Sequence, residues 1–109
     1  MTRTALGEFE HQVLLAMLHL GGDAYSAPIV AEIERRTSKS VSPAAVYIAL
    51  RRLEGRGLLV SCKEAPGPNE GGRGRRVFTV TPEAMEKLRE SRRSFEGLWH
   101  GLDAVFQEP

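Results

Sequence analysis

Cysteine and long apolar runs are scarce in this sequence. The 109 residues include one cysteine, Cys62, so no disulfide can form within the chain. This usage is typical of a reducing compartment, and we predict a cytoplasmic protein. No apolar stretch approaches the roughly 20 residues that cross a bilayer, and the first residues lack the layout of a signal peptide. The sequence therefore predicts no membrane partner.

Motifs of catalysis and of cofactor binding are also missing. No nucleophile motif, phosphate-binding loop or paired acidic site is present, so we predict a protein that is not an enzyme and needs no cofactor. His11 and His19 are eight residues apart and zinc-type spacing is absent, so no metal site is predicted. Two alternatives stay open. One is a metal sensor that combines these histidines with Glu8 or Glu10, and the other is an oxidant sensor built on Cys62.

The chain has little net charge, but positive charge is concentrated in its middle. The net charge is only +1. Residues 35–76 nevertheless hold ten Lys or Arg against three Glu, a net charge of +7, whereas residues 1–34 carry −4 and residues 77–109 carry −2. A field polarised in this way favours one face that binds a polyanion.

Helical spacing predicts two helices in the first 37 residues. The first spans 6–20, ends at the glycines that follow, and has more apolar residues than one buried face needs. That excess indicates burial on two sides, including against a partner subunit, with Phe9, Val13 and Met17 on one face. The second helix spans 26–37 with Ser26 as its cap. Residues 38–41 form a connector that could pair as a short strand.

The third helix has the strongest start signal in the chain. Ser42 is placed to cap it, Pro43 occupies the first helical position, and it should end near Gly55. Val46, Leu50 and Leu53 have the spacing of an inward face. The residues predicted on the outward side are Ala44, Ala45, Tyr47, Ile48, Arg51 and Arg52. Ile48 could meet a thymine methyl, and Arg51, Arg52 and Arg56 are placed for phosphates.

A hairpin is predicted after the third helix. Residues 58–63 and 76–80 are β-prone, and a segment rich in proline, glycine and arginine joins them. Glycines keep its tip slim, while Arg73, Arg75 and Arg76 supply positive charge. A helix beside a basic hairpin is suited to gripping DNA, the helix in the major groove and the hairpin along the backbone or in the minor groove.

The last helix is predicted to open at Thr81-Pro82-Glu83 and to reach Phe106. Its seam follows coiled-coil steps of three and four and favours a partner helix, with packing on its own domain as the alternative. The seam residues are Met85, Leu88, Arg92, Phe95, Trp99, Leu102 and Phe106. The predicted fold is mainly α with a small β-hairpin. A winged helix-turn-helix domain at 1–81 and a C-terminal dimerisation helix at 82–109 would form one compact unit.

The chain also resembles a known family over almost its whole length. The run Val46-Tyr47-Ile48-Ala49-Leu50-Arg51-Arg52-Leu53-Glu54 and the wing Gly71-Gly72-Arg73, followed by an aromatic residue and Thr81-Pro82, are similar to the PadR family of bacterial transcriptional regulators. The resemblance implies a homodimer, usually a repressor, that binds palindromic double-stranded DNA operators. A compact subgroup is indicated because the last helix is short.

Site residues follow from the resemblance. It implies DNA contacts from Tyr25, from the third helix as recognition helix (Ser42 to Arg52) and from the hairpin as wing (Arg73 to Arg76). It also implies dimerisation through the first and last helices. Ser26 stands where the family commonly has glycine, and Ile48 where it often has threonine. The resemblance also raises a small aromatic effector bound at Phe95 and Trp99, although packing in the seam is the simpler interpretation. The remaining alternative is a winged-helix module that binds proteins rather than DNA.

Overall fold

The computed structural model describes residues 5–65 and 74–107. Its elements are mainly helices with a few short strands, which confirms the predicted fold class. The order is α1 (Glu8–His19), β1 (Asp23–Ala24), α2 (Ser26–Thr37), α3 (Pro43–Gly55), β2 (Leu59–Lys63), β3 (Arg76–Val80), α4 (Pro82–Trp99) and a 3₁₀ turn (Asp103–Phe106). Among these helices none is both long and apolar enough to cross a bilayer.

The sheet has a third strand, β1, that was not predicted from the sequence. It is antiparallel with the order β1-β3-β2, and Ala24 of β1 lies opposite Phe78 of β3. Gly21 and Gly22 adopt φ angles of 96° and 95°, which turn the chain back from α1 toward this position. The predicted hairpin is confirmed, because β2 and β3 pair in continuous register from Leu59–Val80 to Lys63–Arg76.

Residues 38–41 are a connector, as predicted, and do not pair as a strand. Ser38 ends α2 in the left-handed conformation with φ 59°. The backbone N–H of Val41 donates to the Glu34 carboxylate at 2.9 Å, so a side chain takes the bond that a neighbouring strand would have taken. The segment is a tight connector between α2 and α3.

Local start signals placed α2, α3 and α4 correctly, and the predicted cap is wrong only for α2. Ser42 accepts a hydrogen bond from the Ala45 N–H at 3.2 Å, and Thr81 accepts one from the Ala84 N–H at the same distance. Each of these helices has proline in its first turn. Ser26, by contrast, is the first helical residue of α2 rather than its cap, and Tyr25 precedes the helix without a side-chain cap bond.

One core joins α1, α2, α3 and the sheet, and α4 enters it only with its first turns. Val46, Leu50 and Leu53 are fully buried, which confirms the inward face predicted for α3. The other apolar residues of this core are Val13, Leu14, Ala16, Met17, Ala24, Ile29, Ile33, Ala49, Leu58, Leu59, Phe78, Ala84 and Leu88.

The last helix is shorter than predicted. It ends at Trp99, and Gly101 takes a φ of 87°, which reverses the chain into the 3₁₀ turn. The Phe106 ring then packs on the Trp99 ring with centroids 5.0 Å apart. Leu102 and Phe106 therefore do not continue a straight seam. The heptad spacing continues past Gly101 and therefore predicted a helix beyond the residue at which the chain reverses.

Candidate nucleic-acid interface

The outward side of α3 presents small and apolar residues at its start and arginines further along. Ser42, Pro43, Ala44 and Ala45 are all exposed, as are Arg51 and Arg52. Ile48 is 52% exposed although it is apolar and lies beside the buried Ala49. An N-terminal turn without bulky side chains lets a helix approach base edges closely, and an exposed isoleucine is able to meet a thymine methyl.

Tyr47 lies at the flank of this face and contacts the sheet. Its ring meets the buried Phe78 ring edge-on, with centroids 6.1 Å apart and planes at 79°. Its hydroxyl is 3.5 Å from the Arg51 Nη1. The side chain is thus held between α3 and β3, with part of its surface exposed.

The base of the wing, which comprises residues 63–64 and 74–76, contacts Tyr25 at the start of α2. The Tyr25 hydroxyl donates to the Glu64 carboxylate, and the Arg75 guanidinium lies 4.5 Å above the centre of the Tyr25 ring. Gly74 passes so close to β2 that a Cβ there would overlap the Glu64 carbonyl oxygen. Arg73, predicted at the wing tip, lies outside the described residues.

An open groove of about 430 Å³ runs between the wing base, the start of α2 and α3. It is lined by Tyr25, Ser26, Ala27, Pro28, Tyr47, Lys63, Gly74, Arg75 and Arg76. Three basic side chains and the N-terminus of α2 face one concave surface, an arrangement that attracts phosphate oxygens. Five of the residues predicted to bind DNA thus line one groove, namely Tyr25, Ser26, Tyr47, Arg75 and Arg76.

Two residues that contact the predicted arginines, Glu54 and Ser61, were not predicted as part of the site. The Arg76 Nη1 donates to the Ser61 hydroxyl at 2.9 Å, and Ser61 in turn donates to the Glu54 carboxylate at 2.6 Å. The other Glu54 oxygen lies 3.5 Å from the Arg51 Nε. The three-residue spacing of Arg51 and Glu54 on one helix was a usable signal. The role of Ser61 depends on strand register, for which the sequence carried no signal.

Comparisons with known proteins agree with this geometry. Residues 14–90 match the model of the Transcriptional regulator PadR-like family. The chain belongs to the PadR family. The Transcriptional regulator Rv3488 of Mycobacterium tuberculosis (strain ATCC 25618 / H37Rv) is 39% identical to it over 88 residues, which cover 79% of this chain and 78% of the relative.

Solved structures share the fold of this PadR protein. The PadR-like transcriptional regulator of Bacillus cereus strain ATCC 14579 superposes with a TM-score of 0.70 at 18% identity, covering 93% of each chain. A PadR family regulator from Eggerthella lenta DSM 2243 superposes with a TM-score of 0.66 at 26% identity, covering 89% of this chain and 82% of the other. The winged-helix prediction is confirmed, and so are the assignments as a DNA-binding transcriptional regulator and as a protein that is not an enzyme.

Several basic residues of the PadR chain are paired with carboxylates of the chain itself. Arg56 was predicted to face phosphate, but its Nη1 lies 2.8 Å from the Glu10 carboxylate in a partly buried ion pair that joins α3 to α1. Arg35 and Arg36 both bind the buried carboxylate of Glu32. These hydrogen bonds, that of Arg36 first, hold the pKa of Glu32 below its usual range. The charge of +7 over residues 35–76 therefore overstates the charge available to DNA.

The residues of the two sensor alternatives are dispersed. Across residues 5–65 and 74–107, no three His, Cys, Asp or Glu side chains gather as metal ligands. The His11 Nδ1 lies 3.4 Å from the Ser91 hydroxyl, a contact between α1 and α4. Cys62 is exposed on β2.

The residues predicted for dimerisation fall into two groups. Val13 and Met17 have no exposed surface, and Leu88 has almost none, so these three belong to the core of the protomer and not to an interface. Phe9 packs partly buried against the same core. On α1, on α4 and in the described segment after α4, the large apolar residues that remain exposed are Leu15, Phe95, Leu98, Trp99, Leu102, Val105 and Phe106.

A second groove, of about 620 Å³, lies between α1 and α4. Most of its lining is apolar, with Leu15 and Leu18 from α1 and Met85, Phe95 and Trp99 from α4. Arg89, Arg92 and Glu96 stand at its polar margin. Phe95 and Trp99, the predicted effector platform, thus lie in one groove that also belongs to the exposed apolar surface.

We expect Arg52 and Arg56, near the end of α3, to differ sharply in their contribution to DNA binding. The side chain of Arg52 is exposed and makes no hydrogen bond or ion pair with another described side chain. Arg52→Ala should weaken binding to every duplex and lower the slope of log affinity against log salt by about one unit, because one phosphate contact is lost. Fluorescence anisotropy over a salt series measures this slope.

Arg56→Ala, at the residue that directly follows α3, is the matched control. It removes the same charge but breaks the ion pair with Glu10, so it should lower the free energy of unfolding by roughly 1–3 kcal/mol and leave the salt slope unchanged. Urea denaturation gives the stability. Equal slopes for the two variants would contradict the separate roles given to Arg52 and Arg56.

Proposed function

We propose that this PadR protein is a homodimeric repressor that binds a palindromic DNA operator in the bacterial cytoplasm. The observation that carries the proposal is the division of its surface into two. A basic face surrounds α3 and the wing base, and an apolar face covers the end of α4, the 3₁₀ turn and Leu15 of α1. Exposed apolar patches of this kind mark protein interfaces.

The apolar face is suited to a second copy of the chain. It includes Trp99 and two phenylalanines, Phe95 and Phe106, and large aromatic residues contribute most to interface affinity. In a two-fold symmetric dimer the same patch serves both subunits. Two α3 helices then face one DNA duplex, and the operator repeats as two inverted half-sites.

Recognition is proposed to divide between α3 and the wing. The small N-terminal turn of α3 and Ile48 would contact base edges, while Arg51, Arg52 and the wing arginines would contact phosphates. The Tyr25 ring lies beneath Arg75, and Ser26 lines the adjoining groove. Both residues would reach the DNA backbone if it lay in this groove. With few polar base readers on α3, operator choice would depend on methyl contacts and on DNA shape.

Trp99→Asp tests the dimer. Trp99 is 53% exposed, so a charge there should not disrupt the protomer but should weaken self-association by at least about thirtyfold. Light scattering over a range of concentrations measures the mass. Val60→Asp is the control, since Val60 is 55% exposed on β2 and outside the proposed interface. A dimer that persists in Trp99→Asp would place the interface elsewhere.

Genome-wide mapping of bound DNA in the source organism tests the operator and the repression together. We expect inverted half-sites whose centres lie about one helical turn, roughly 34 Å, apart, because one dimer presents two recognition helices to one duplex. Sites should overlap promoters whose transcripts rise when the gene is deleted. Single unpaired sites, or transcripts that fall on deletion, would refute the palindrome or the repressor role respectively.

A small aromatic effector is the second part of the proposal, favoured by the groove that Phe95 and Trp99 line. An aromatic ligand stacked there should quench the fluorescence of Trp99, the one tryptophan of the chain, and should release DNA at the same concentration. Titration of the DNA-bound protein with planar aromatic compounds measures both signals. Quenching without release of DNA would leave a ligand site with no regulatory role.

A further inference from the structure

Glu54 and Ser61 form a continuous polar link between the recognition helix and the wing. The link starts at Arg76, whose Nη1 donates to Ser61 Oγ at 2.9 Å. Ser61 Oγ donates to Glu54 Oε2 at 2.6 Å. The second oxygen of that carboxylate, Glu54 Oε1, lies 3.5 Å from the Arg51 Nε. One carboxylate and one hydroxyl therefore join two arginines that belong to different elements.

The fold builds this link from strand register. Ser61 lies opposite Phe78 and Lys63 lies opposite Arg76, so Ser61 and Arg76 are diagonal neighbours on the same face of the hairpin. Nearer the core this face is apolar, with Leu59 and Phe78 buried. The last turn of α3, which carries Glu54, packs beside β2. The polar link therefore begins where the apolar core ends.

Burial explains why the link is fixed. The Glu54 side chain is only 27% exposed, and its Oε1 is buried with no hydrogen-bond partner among the described residues. A carboxylate oxygen withdrawn from water requires a nearby cation, and the Arg51 guanidinium is that cation. Arg51 itself stays 49% exposed. Since a guanidinium has five N–H donors, both arginines retain donors for an outside anion.

We propose that Glu54 and Ser61 are positioning residues that couple Arg51 of the recognition helix to Arg76 of the wing. The inference rests on the proposed function, in which both arginines contact the DNA backbone. An arginine held by a hydrogen bond loses less conformational entropy when it meets a phosphate than a freely rotating one does. Each arginine in its place keeps the shared carboxylate oriented for the other, so their contributions to affinity depend on each other.

A pair of isosteric variants at Ser61 tests the link. Ser61→Thr keeps the hydroxyl, whereas Ser61→Val has nearly the same shape and replaces it with a methyl group. Binding is measured by anisotropy on a labelled duplex of mixed sequence, about 30 base pairs long so that it spans two half-sites. Ser61→Val should bind about fivefold more weakly than wild type, and Ser61→Thr within about twofold of it. Equal affinities of the two variants would overturn the role of the hydroxyl.

A double-mutant cycle separates positioning from a merely structural effect. In an Arg76→Ala background the difference between Ser61→Thr and Ser61→Val should disappear, because the hydroxyl then has no arginine to place. If the ratio of the Ser61→Thr and Ser61→Val affinities is the same with and without Arg76→Ala, Ser61 acts through stability alone and the coupling is wrong. Thermal unfolding of each variant shows that it is folded under the conditions of binding.

A second cycle leaves Glu54 and Ser61 unchanged. Arg51→Ala and Arg76→Ala together should weaken binding by a factor smaller than the product of the single effects, measured at one salt concentration. A factor equal to the product would overturn the coupling while the DNA function stands. Wild-type protein that fails to bind the duplex even at low salt would instead refute the proposed function itself.

Discussion

The burial of Val46, Leu50 and Leu53 is the constraint on which the rest of the structure depends. These three side chains fix the rotation of α3 about its own axis, because a helix cannot turn without withdrawing them from the core. Ile48, exposed on the other side, is left in water as a direct result. The packing of the core therefore holds Ile48 on the proposed DNA face, where a thymine methyl could contact it. The core thus determines which residues of α3 belong to the proposed recognition surface.

The sequence predicted those parts of the fold that have local causes. Ser42 with Pro43 and Thr81 with Pro82 placed two helix starts correctly, since a cap acts within one turn. Strand β1 was missed because it has only two residues, and its pairing with β3 joins parts of the chain more than 50 residues apart. The end of α4 was missed because the 3–4 spacing continued through Gly101, where the backbone reverses.

The candidate site shows the same division between local and distant causes. The outward face of α3 could be read from helical geometry alone. The charge of the central segment could not be read correctly, because Arg56 is withdrawn by Glu10, 46 positions away. Similarly, Arg76 meets Ser61 only through the register of two strands. The number of arginines predicted that this surface is positively charged. Tertiary pairing decides which of those arginines are available to DNA.

α4 connects the two proposed interfaces, and its burial changes along its length. Leu88 lies in the core beneath α1, whereas Trp99, three turns later, is exposed beside Phe106. A heptad pattern treats both positions alike, since it records that a side chain is apolar and not which surface covers it. The 18-residue helix spans about 27 Å, so it acts as a rigid arm from the DNA-binding core to the apolar face. In the proposed dimer, the direction of this arm sets the distance between the two recognition helices and hence the spacing of the half-sites. A ligand that enters the groove between α1 and α4 would act on that arm, which is how occupation of an apolar groove can change affinity at a distant DNA face.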